Sequence, residues 1–326
     1  MWRQRGKQPN TIMTLGVIPS CSEASAKVGE PLRGTAIADT DVWLLLEYPG
    51  KWEADIATTE LPAVTRAWLD AATRAIPRCR VLFVRGEGRT ERLAFFVVTS
   101  RPERAVFRFN VDTHEDLARL DVVAVVERGH AAATAQGGER TRALYLVCTH
   151  GRRDACCAKR GVAFVRELAE KELDGEVWQS SHQGGHRFAA TMLYLPHGIH
   201  YGRLELGDVE PIAAAHARGH VHSIDRYRGL ATLSPHEQAA EAWLREELDE
   251  RRFSAFERVG QTVVEAGRTR CSFRARDGVV HELTVLSRSG GARRSPSCGA
   301  APSDFTRLDV VRHVAGCDLR DASAGG

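Results

Sequence analysis

Four residues in the middle third of the sequence carry side chains that bind metals: Cys148, Cys157, His182 and His186. They form two pairs. Eight residues separate the cysteines, in CTHGRRDACCAKRG, and three residues separate the histidines, in VWQSSHQGGHRF. Two thiolates and two imidazoles are a donor set for zinc or for iron. The spacing predicts that the two pairs lie on two different loops.

Two kinds of metal centre fit this donor set. Zinc accepts two cysteines and two histidines in a tetrahedral site, and histidines three residues apart occur in zinc fingers. In a finger, however, the histidines lie on a helix, whereas Gly184 and Gly185 predict a loop here. A 2Fe-2S cluster also takes four protein ligands, and in the Rieske arrangement two imidazoles bind one iron. The glycines favour the cluster, because its bridging sulfides need close approach of the backbone.

The elements that position these residues follow one order twice along the chain. Residues 41–48 are typical of a buried strand, and residues 61–76 carry apolar side chains at helical spacing. Three more strands and a short helix follow, and the small, polar residues 129–141 indicate a linker. Beyond the linker the same order returns, with an antiparallel strand pair that turns at His197 and Gly198.

This repeated order predicts an α/β protein made of two thioredoxin-like halves that arose by duplication. In the first half, the position that matches Cys148 is near Glu47, and the segment that matches HQGGH is GEGRT, which holds no ligand. We therefore expect one cluster in the chain. The predicted divisions are a disordered leader at 1–20 with Met13 as an alternative start, a first half without a cluster at 21–135, a cluster-bearing half at 136–233, and a C-terminal helix with a β-rich extension at 234–326.

The predicted extension begins with a helix whose start is marked by a reciprocal capping pattern, with Ser234 as N-cap and Glu237 three residues later. Ala240, Trp243, Leu244 and Leu248 are expected to face a core. Strands are predicted in RFSAFERVG, QTVVEAG, RCSFRAR and VHELTVLSR, before an Arg-rich turn segment, RSGGARRSPSCG. We expect Arg293 and Arg294 in that segment to be exposed loop charges rather than a docking site for a partner.

The composition and charge of the chain argue against nucleic-acid-binding and membrane proteins. The 326 residues carry 45 basic and 42 acidic side chains, and the net charge of +3 gives no general case for binding nucleic acid or anionic membranes. The longest apolar runs, VWLLLE and LAFFVVTS, are far shorter than the ~20 residues that cross a bilayer. The basic N-terminus before Cys21 does not read as a lipoprotein signal, because its apolar run is short and interrupted. We expect a soluble protein.

The eight cysteines do not follow the spacing of a small disulfide-bonded secreted domain, so a reducing cytoplasm is the predicted compartment. Cys79 and Cys317 are expected to be passive thiols. Cys21, Cys271 and Cys298 have no assignment from sequence.

The segments CTHGRRDACCAKRG, VWQSSHQGGHRFA and LPHGIHYGRL resemble the sucrase/ferredoxin-like family, a branch of the thioredoxin-like 2Fe-2S ferredoxins. The resemblance is specific over residues 144–205, weaker in PSCSEASAKVGEPLRGTA and DVWLLLEYPGKW, and only suggestive in the SCG near the tail. It implies that Cys148 and Cys157 bind one iron and that His182 and His186 bind the other. Cys156 is an alternative to Cys157, although the family spacing favours Cys157.

Each charged neighbour of the four residues has more than one interpretation. His150, Arg152 and Asp154 are either hydrogen-bonding loop residues or participants in redox chemistry. Arg187, next to the histidine pair, either raises the cluster potential, meets an acidic partner, or is a solvated side chain.

The predicted function is one-electron transfer, with electrons delivered by a separate reductase and passed to an unknown acceptor. Two neutral imidazoles in place of thiolates should raise the potential toward the roughly −150 to +300 mV of Rieske centres, and the potential should fall with pH once the imidazoles titrate. The rival is a zinc-stabilised structural or protein-binding module that uses the same four residues. A thiol redox pair of Cys156 and Cys157 is disfavoured, because adjacent cysteines lack the C-x-x-C spacing.

Whether the protein is an enzyme stays open, but the sequence indicates an electron carrier or redox partner rather than a hydrolase. Glycoside hydrolysis needs two facing carboxylates, and nothing in the sequence pairs Asp154 with Glu205, so sucrase activity is not expected. The sequence has neither a G-x-G-x-x-G motif after a strand nor a P-loop, which leaves no visible nucleotide or flavin site.

Overall fold

The computed structural model describes residues 19–86, 88 and 91–316. Most of the predicted leader at 1–20, including Met13, lies outside the described residues, and so does Cys317. Three of the five residues of the GEGRT segment also lie outside them. Among the described residues, no helix has both the length and the apolar composition needed to span a bilayer.

The first half of the chain places four longer strands around one long helix and ends in two short helices and a short strand. Their bounds are α1 (Cys21–Lys27), β1 (Val42–Glu47), α2 (Ala63–Ala75), β2 (Cys79–Arg85), β3 (Leu93–Thr99), β4 (Ala105–Val111), α3 (Val122–Arg128), α4 (His130–Ala135) and β5 (Glu139–Arg140), with 3-10 helices at Ile56–Thr58 and Glu115–Arg119. The prediction of a linker at 129–141 is wrong, because α4 and β5 fill it. Its alanines are strong helix formers, and Ala132 and Ala133 are buried.

The second half follows the predicted order of strand, helix, strand, hairpin and helix. Its elements are β6 (Ala143–Cys148), α5 (Ala155–Ala169), β7 (Gly175–Ser180), β8 (Met192–Leu195), β9 (Ile199–Tyr201), α6 (Val209–Ala217) and β10 (Tyr227–Leu230), with 3-10 helices at His186–Phe188, Leu206–Asp208 and Ile224–Arg226. The hairpin predicted at His197 and Gly198 is confirmed, since β8 and β9 pair antiparallel. Strand β10 escaped prediction because it is only four residues long and contains a glycine.

A single ten-stranded mixed sheet runs through both halves in the order β10-β9-β8-β6-β7-β2-β1-β3-β4-β5. In each half the central strand pairs parallel with one neighbour and antiparallel with the other: β1 with β2 and β3, and β6 with β7 and β8. The halves join where β2 and β7 pair antiparallel, at Val84–Ser180 and Arg85–Gln179. The C-terminal ends of β2 and β7 therefore meet inside the sheet rather than at its edge. The predicted domain limits stay a prediction.

The central strands β1 and β6 carry long apolar runs, VWLLL and ALYLV, because both faces of each strand are covered. Residues 43–46 of β1 and 144–147 of β6 have no exposed surface. This burial explains why VWLLL and ALYLV read as continuous apolar runs instead of alternating patterns.

Cys148 and Glu47 occupy equivalent places in the two halves, as the sequence predicted. Glu47 ends β1 opposite Val84 of β2, and Cys148 ends β6 opposite Ser180 of β7. The buried carboxylate of Glu47 accepts a hydrogen bond from the backbone N–H of Ala94 at 2.8 Å. In the first half, the side chain at this position therefore stabilises the neighbouring strand β3.

The C-terminal part forms a separate four-stranded antiparallel sheet against one helix. The elements are α7 (Pro235–Glu247), β11 (Phe256–Glu265), β12 (Arg268–Ala275), β13 (Val280–Ser289) and β14 (Thr306–Ala315), and the strands pair in chain order. The two strands predicted in RFSAFERVG and QTVVEAG are one strand, β11, with a register shift between Arg258 and Gly260. Strand β14 was not predicted, because its side chains are mostly exposed or half-buried and show no clear apolar alternation.

The predicted start of α7 is confirmed by a capping box in which Ser234 and Glu237 bond each other's backbone N–H groups. Ala240 and Leu244 are buried as expected. The placement of Leu248 in the core is wrong: it is the C-cap of α7 and is 44% exposed, because the helix ends one turn after Leu244.

Candidate metal centre

Three of the four sequence-predicted residues lie at or near the C-terminal ends of β6 and β7 and at the start of α5. Cys148 is the last residue of β6, Cys157 lies in the first turn of α5, and His182 follows β7 by two residues. His186 begins a 3-10 helix. Cys148, Cys157 and His182 each place a potential ligand atom within 4.8 Å of the other two. The two cysteines are buried and His182 is half-buried.

Helix α5 approaches the end of β6 closely because residue 161 is a glycine. A Cβ atom at Gly161 would lie 2.1 Å from the carbonyl oxygen of Cys148. Any side chain there would push the helix away from the strand. Since Cys157 lies one turn earlier on the same helix, this contact sets the distance between the two thiols.

The segment between the two histidines is a loop, as its glycines predicted, and His186 begins the 3-10 helix that follows. Gly184 and Gly185 have φ angles of +80° and +71°, a region that only glycine adopts at little cost. The rings of His182 and His186 are 5.0 Å apart between centroids. The Nδ1 atom of His182 lies 3.9 Å from the sulfur of Cys157.

The backbone of His182 is held in place from both sides. Its N–H donates to Nδ1 of His150 at 3.2 Å. The buried amide of the next residue, Gln183, donates to the carbonyl of Leu146 at 2.7 Å and to the hydroxyl of Ser180 at 2.6 Å. His150 therefore acts as a hydrogen-bonding loop residue, one of its two predicted roles.

His186 lies outside the compact group of three, but its tautomer suits a metal ligand. Its Nε2 lies 2.7 Å from the carbonyl oxygen of Pro296, which can only accept a hydrogen bond, so Nε2 carries the proton. Its Nδ1 then has a free lone pair. That atom is buried and has no hydrogen-bond partner among the described residues. Burial lowers the pKa of His186 and favours the neutral form, which is the form that binds metals.

The two buried thiols compete for protons. The Cys157 thiol, donating to Cys148, and the neighbouring His182 hold the pKa of Cys148 well below its ordinary range. The pKa of Cys157 is raised by its hydrogen bond to Cys148, by burial, and by the negative charge of the Cys148 thiolate. A metal cation bound by both sulfurs would stabilise both thiolates, so that both cysteines could be deprotonated together.

Cys156 points away from this group and belongs to a second one. Its sulfur lies 3.5 Å from that of Cys21 and 3.4 Å from that of Cys298. Asp154 completes the cluster, in which all four ligand atoms lie within 4.8 Å of one another. The sequence left Cys21 and Cys298 without a role, because more than 130 residues separate each from Cys156. The only signals were that Cys21 and Cys298 lie in two segments with weak family resemblance.

Asp154 and Arg152 fill the structural roles that were predicted as one alternative for them. Asp154 is the N-cap of α5, and its carboxylate accepts the N–H groups of Cys156 and Cys298, both at 2.9 Å. Burial alone would raise the pKa of Asp154, but these bonds outweigh it and lower the pKa. Arg152 pairs with Glu53 at 3.0 Å.

Arg294 is not the exposed loop charge that the sequence predicted. It is 6% exposed and holds the carboxylate of Glu30 with two nitrogens, at 2.8 and 2.9 Å. Arg187 donates to the same carboxylate at 2.8 Å and stacks on the ring of Phe188. Its charge is therefore already paired, so it is not the solvated side chain of one interpretation. Arg293 is exposed as predicted.

The donor chemistry fits the groups expected from sequence. Two buried thiols and two imidazoles, one of them with an orphaned nitrogen, suit either a 2Fe-2S cluster or zinc. The separation of 3.9 Å between Cys157 and His182 is close to the roughly 3.5 Å edge of one tetrahedral zinc site.

A family model described as sucrase/ferredoxin-like matches residues 34–229, which is more than half of the chain. The chain belongs to the sucrase/ferredoxin-like family. The matched region contains both halves of the ten-stranded sheet and all four predicted ligands, and it ends before α7. Cys21 and Cys298 lie outside the family match.

Two curated relatives are similar over shorter stretches, and both are named altered inheritance of mitochondria protein 32. The protein of Meyerozyma guilliermondii is 34% identical over 98 residues, which is 27% of this chain and 35% of the relative. The protein of Debaryomyces hansenii is 37% identical over 70 residues, or 19% and 26% of the two chains. The chain thus spans about a third or less of the relatives that it matches. No solved structure matches it.

Proposed function

We propose that this protein transfers single electrons through one 2Fe-2S cluster, with Cys148 and Cys157 on one iron and His182 and His186 on the other. The observation that carries the proposal is the grouping of Cys148, Cys157 and His182, with the ring of His186 5.0 Å from that of His182, in a member of a family described as ferredoxin-like. When bound, such a cluster supplies one-electron oxidation and reduction.

A buried arginine supports the ligand loop and adds positive charge. Arg228 donates to the carbonyl of Gly184 at 3.1 Å and lies 3.0 Å from Nε2 of His200. Burial and the nearby Arg187 lower its pKa to about 9, while the thiolates of Cys148 and Cys157 favour its charged form. The same attraction stabilises the thiolates and any added electron, so Arg228 and the two neutral imidazoles both favour a higher potential than four thiolates give.

His182 offers a route for electrons to the surface. It borders a cleft of about 230 Å³ whose lining includes Asp55, Arg80, His150 and Arg153. We propose that a separate reductase and an acceptor dock over this cleft, one after the other. We propose neither a nucleic-acid nor a membrane partner, and no sucrase activity.

The two halves, 21–135 and 136–233, are proposed to be thioredoxin-like units, the first without a cluster. The identical strand pairing in both halves supports this proposal. A reducing cytoplasm is proposed as the compartment, and the seven described cysteines, all free thiols, are compatible with it.

A zinc-stabilised module is the second candidate, favoured by the compact placement of Cys148, Cys157 and His182. In that case the four residues would only hold two loops together, and His186 would complete a tetrahedron.

Purification without air separates the two candidates. A cluster gives a brown protein with visible charge-transfer bands, two irons and two sulfides per chain, and an electron paramagnetic resonance signal after reduction. The Cys157→Ser variant should lose all of these. A colourless wild-type protein whose zinc is lost in Cys157→Ser would overturn the electron-transfer proposal.

A further inference from the structure

We propose a second metal site, a structural zinc held by Cys21, Cys156, Cys298 and Asp154. Nothing in the family match covers Cys21 or Cys298. The inference stands on the geometry of these four side chains and does not depend on the proposed cluster.

The three sulfurs already have the spacing of zinc ligands. Their separations are 3.5 Å for Cys21 and Cys156, 3.4 Å for Cys156 and Cys298, and 3.7 Å for Cys298 and Cys21. In a tetrahedral site with Zn–S bonds of about 2.3 Å, neighbouring sulfurs lie about 3.8 Å apart. The triangle is therefore nearly the face of such a tetrahedron.

The carboxylate of Asp154 lies near the fourth corner of this tetrahedron. Its carboxylate oxygens lie 3.2 Å from the sulfur of Cys298 and 3.6 and 3.7 Å from that of Cys21. Zinc with one oxygen ligand gives sulfur–oxygen edges of about 3.5 Å. The N–H groups of Cys156 and Cys298 fix the orientation of the carboxylate and leave lone pairs on both oxygens.

The environment favours thiolates, the form that binds zinc. Cys156 lies in the first turn of α5, a helix of 15 residues whose N-terminus attracts negative charge. The sulfur of Cys156 also accepts a hydrogen bond from the thiol of Cys21 at 3.5 Å.

The proposed zinc joins three distant parts of the chain: α1 through Cys21, α5 through Cys156 and the C-terminal segment through Cys298. Pro296, two residues before Cys298, receives the hydrogen bond that fixes the tautomer of His186. We therefore assign the zinc a structural role: it keeps the C-terminal segment against His186 and the first metal centre, the proposed site of Cys148, Cys157, His182 and His186. The ion should be a single zinc, because sulfurs 3.4 to 3.7 Å apart surround one ion and three thiolates with one carboxylate form a tetrahedral donor set that zinc accepts.

The test is element-specific and uses the full chain. Zinc and iron are counted per chain, and the zinc absorption edge is fitted for its neighbours. We expect one zinc with three sulfurs near ~2.3 Å and one oxygen near ~2.0 Å. Fewer than half a zinc per chain in protein purified without chelators would overturn the site. So would two sulfur and two nitrogen neighbours, which place the zinc at the first centre instead.

Variants locate the site. Cys298→Ser is the first choice, because Cys298 is exposed and its loss should leave the core intact. Its zinc affinity, measured by competition with a chromophoric chelator, should fall by more than ~100-fold, since outer-shell changes alone cost 10–100-fold. Cys21→Ser should do the same, and Cys79→Ser, outside both clusters, should keep the zinc. Unchanged zinc affinity in Cys298→Ser, or a Cys21–Cys156 or Cys156–Cys298 disulfide in protein alkylated without air, would refute the proposal.

Discussion

Cys156 and Cys157 are neighbours in the chain, yet their sulfurs enter different groups of ligand atoms. The sulfur of Cys157 lies 3.9 Å from Nδ1 of His182, and that of Cys156 lies 3.5 Å from the sulfur of Cys21. Successive residues of a helix point about 100° apart, so the first turn of α5 serves both groups at once. Asp154 caps this turn and lies 3.8 Å from Nε2 of His186, between the two groups.

The two cysteines should therefore give different results when each is replaced by serine. Cys157→Ser should lower the iron content by at least ~10-fold, because a ligand is lost and not merely an outer contact. Cys156→Ser should keep the iron and the visible spectrum but lose zinc. Iron, zinc and sulfide per chain are measured for both variants. Loss of iron in Cys156→Ser with iron retained in Cys157→Ser would show that Cys156 is the cluster ligand.

Replacing His186 by cysteine should keep a cluster and lower its midpoint potential. A thiolate in place of a neutral imidazole adds negative charge, which moves the potential toward the roughly −400 mV of all-cysteine plant-type ferredoxins. The potential is measured by redox titration followed at the visible bands. His130→Cys makes the same change at an exposed residue of the first half and should leave the potential unchanged. An unchanged potential in His186→Cys would show that His186 is not a ligand.

The sequence predicted the repeated order of elements because β1 and β6 are buried on both faces and helix α5 has a clear apolar face. It also predicted that Cys148, Cys157 and His182 lie near one another, since the ends of neighbouring parallel strands meet in space, and the structure groups these three. The second group, Cys21, Cys156, Cys298 and Asp154, could not be predicted from the sequence. Cys21 and Cys298 reach Asp154 through tertiary packing over distances of 133 and 144 residues, for which no local pattern exists.

The burial of Arg294 was missed for the same reason. The segment RSGGARRSPSCG has the composition of an exposed turn, and only the position of Glu30, 264 residues earlier, makes one of its arginines a buried partner. The local composition predicts that an arginine in such a segment is exposed, because most arginines are. Arg294 is buried because one distant carboxylate, that of Glu30, pairs with it.

Gly161→Ala should destabilise the protein and weaken metal binding at the first centre. The new methyl group would lie 2.1 Å from the Cys148 carbonyl, so α5 must move away from β6. Overpacking of this kind costs about 1–3 kcal/mol, which exceeds the gain of up to ~1 kcal/mol in helix propensity. Thermal unfolding and iron content report the two effects. Gly207→Ala is the control, because its added Cβ has no neighbour within 4 Å. A Gly161→Ala variant as stable and as iron-rich as the wild type would contradict this account of the helix position.

Glu30→Gln should destabilise the contacts that hold α1 and the segment around Arg294 against residues 187–203. The buried carboxylate of Glu30 binds Arg187 and Arg294 and accepts the hydroxyl of Ser25 at 2.8 Å, and its backbone carbonyl accepts Arg203 at 2.7 Å. Removing the charge leaves two arginines without their partner, which costs about 3–5 kcal/mol for buried pairs. Urea unfolding at neutral pH measures the loss. Glu210→Gln, which removes an exposed ion pair with Lys171, should have little effect.

The same carboxylate predicts how the stability of the wild-type protein depends on pH. Burial alone would raise the pKa of Glu30, but the bonds from Arg294, Arg187 and Ser25 outweigh it and hold the pKa below its ordinary value of 4.5. A carboxylate with a lowered folded-state pKa stabilises the fold fully above about 4.5, and this contribution is lost as the pH falls through the folded-state pKa. The difference in unfolding free energy between the wild type and Glu30→Gln should therefore be constant from pH 6 to 8 and shrink below about pH 4.5. Unfolding curves in urea at several pH values test this, and a difference that grows on acidification would show that Glu30 is protonated in the folded protein at neutral pH.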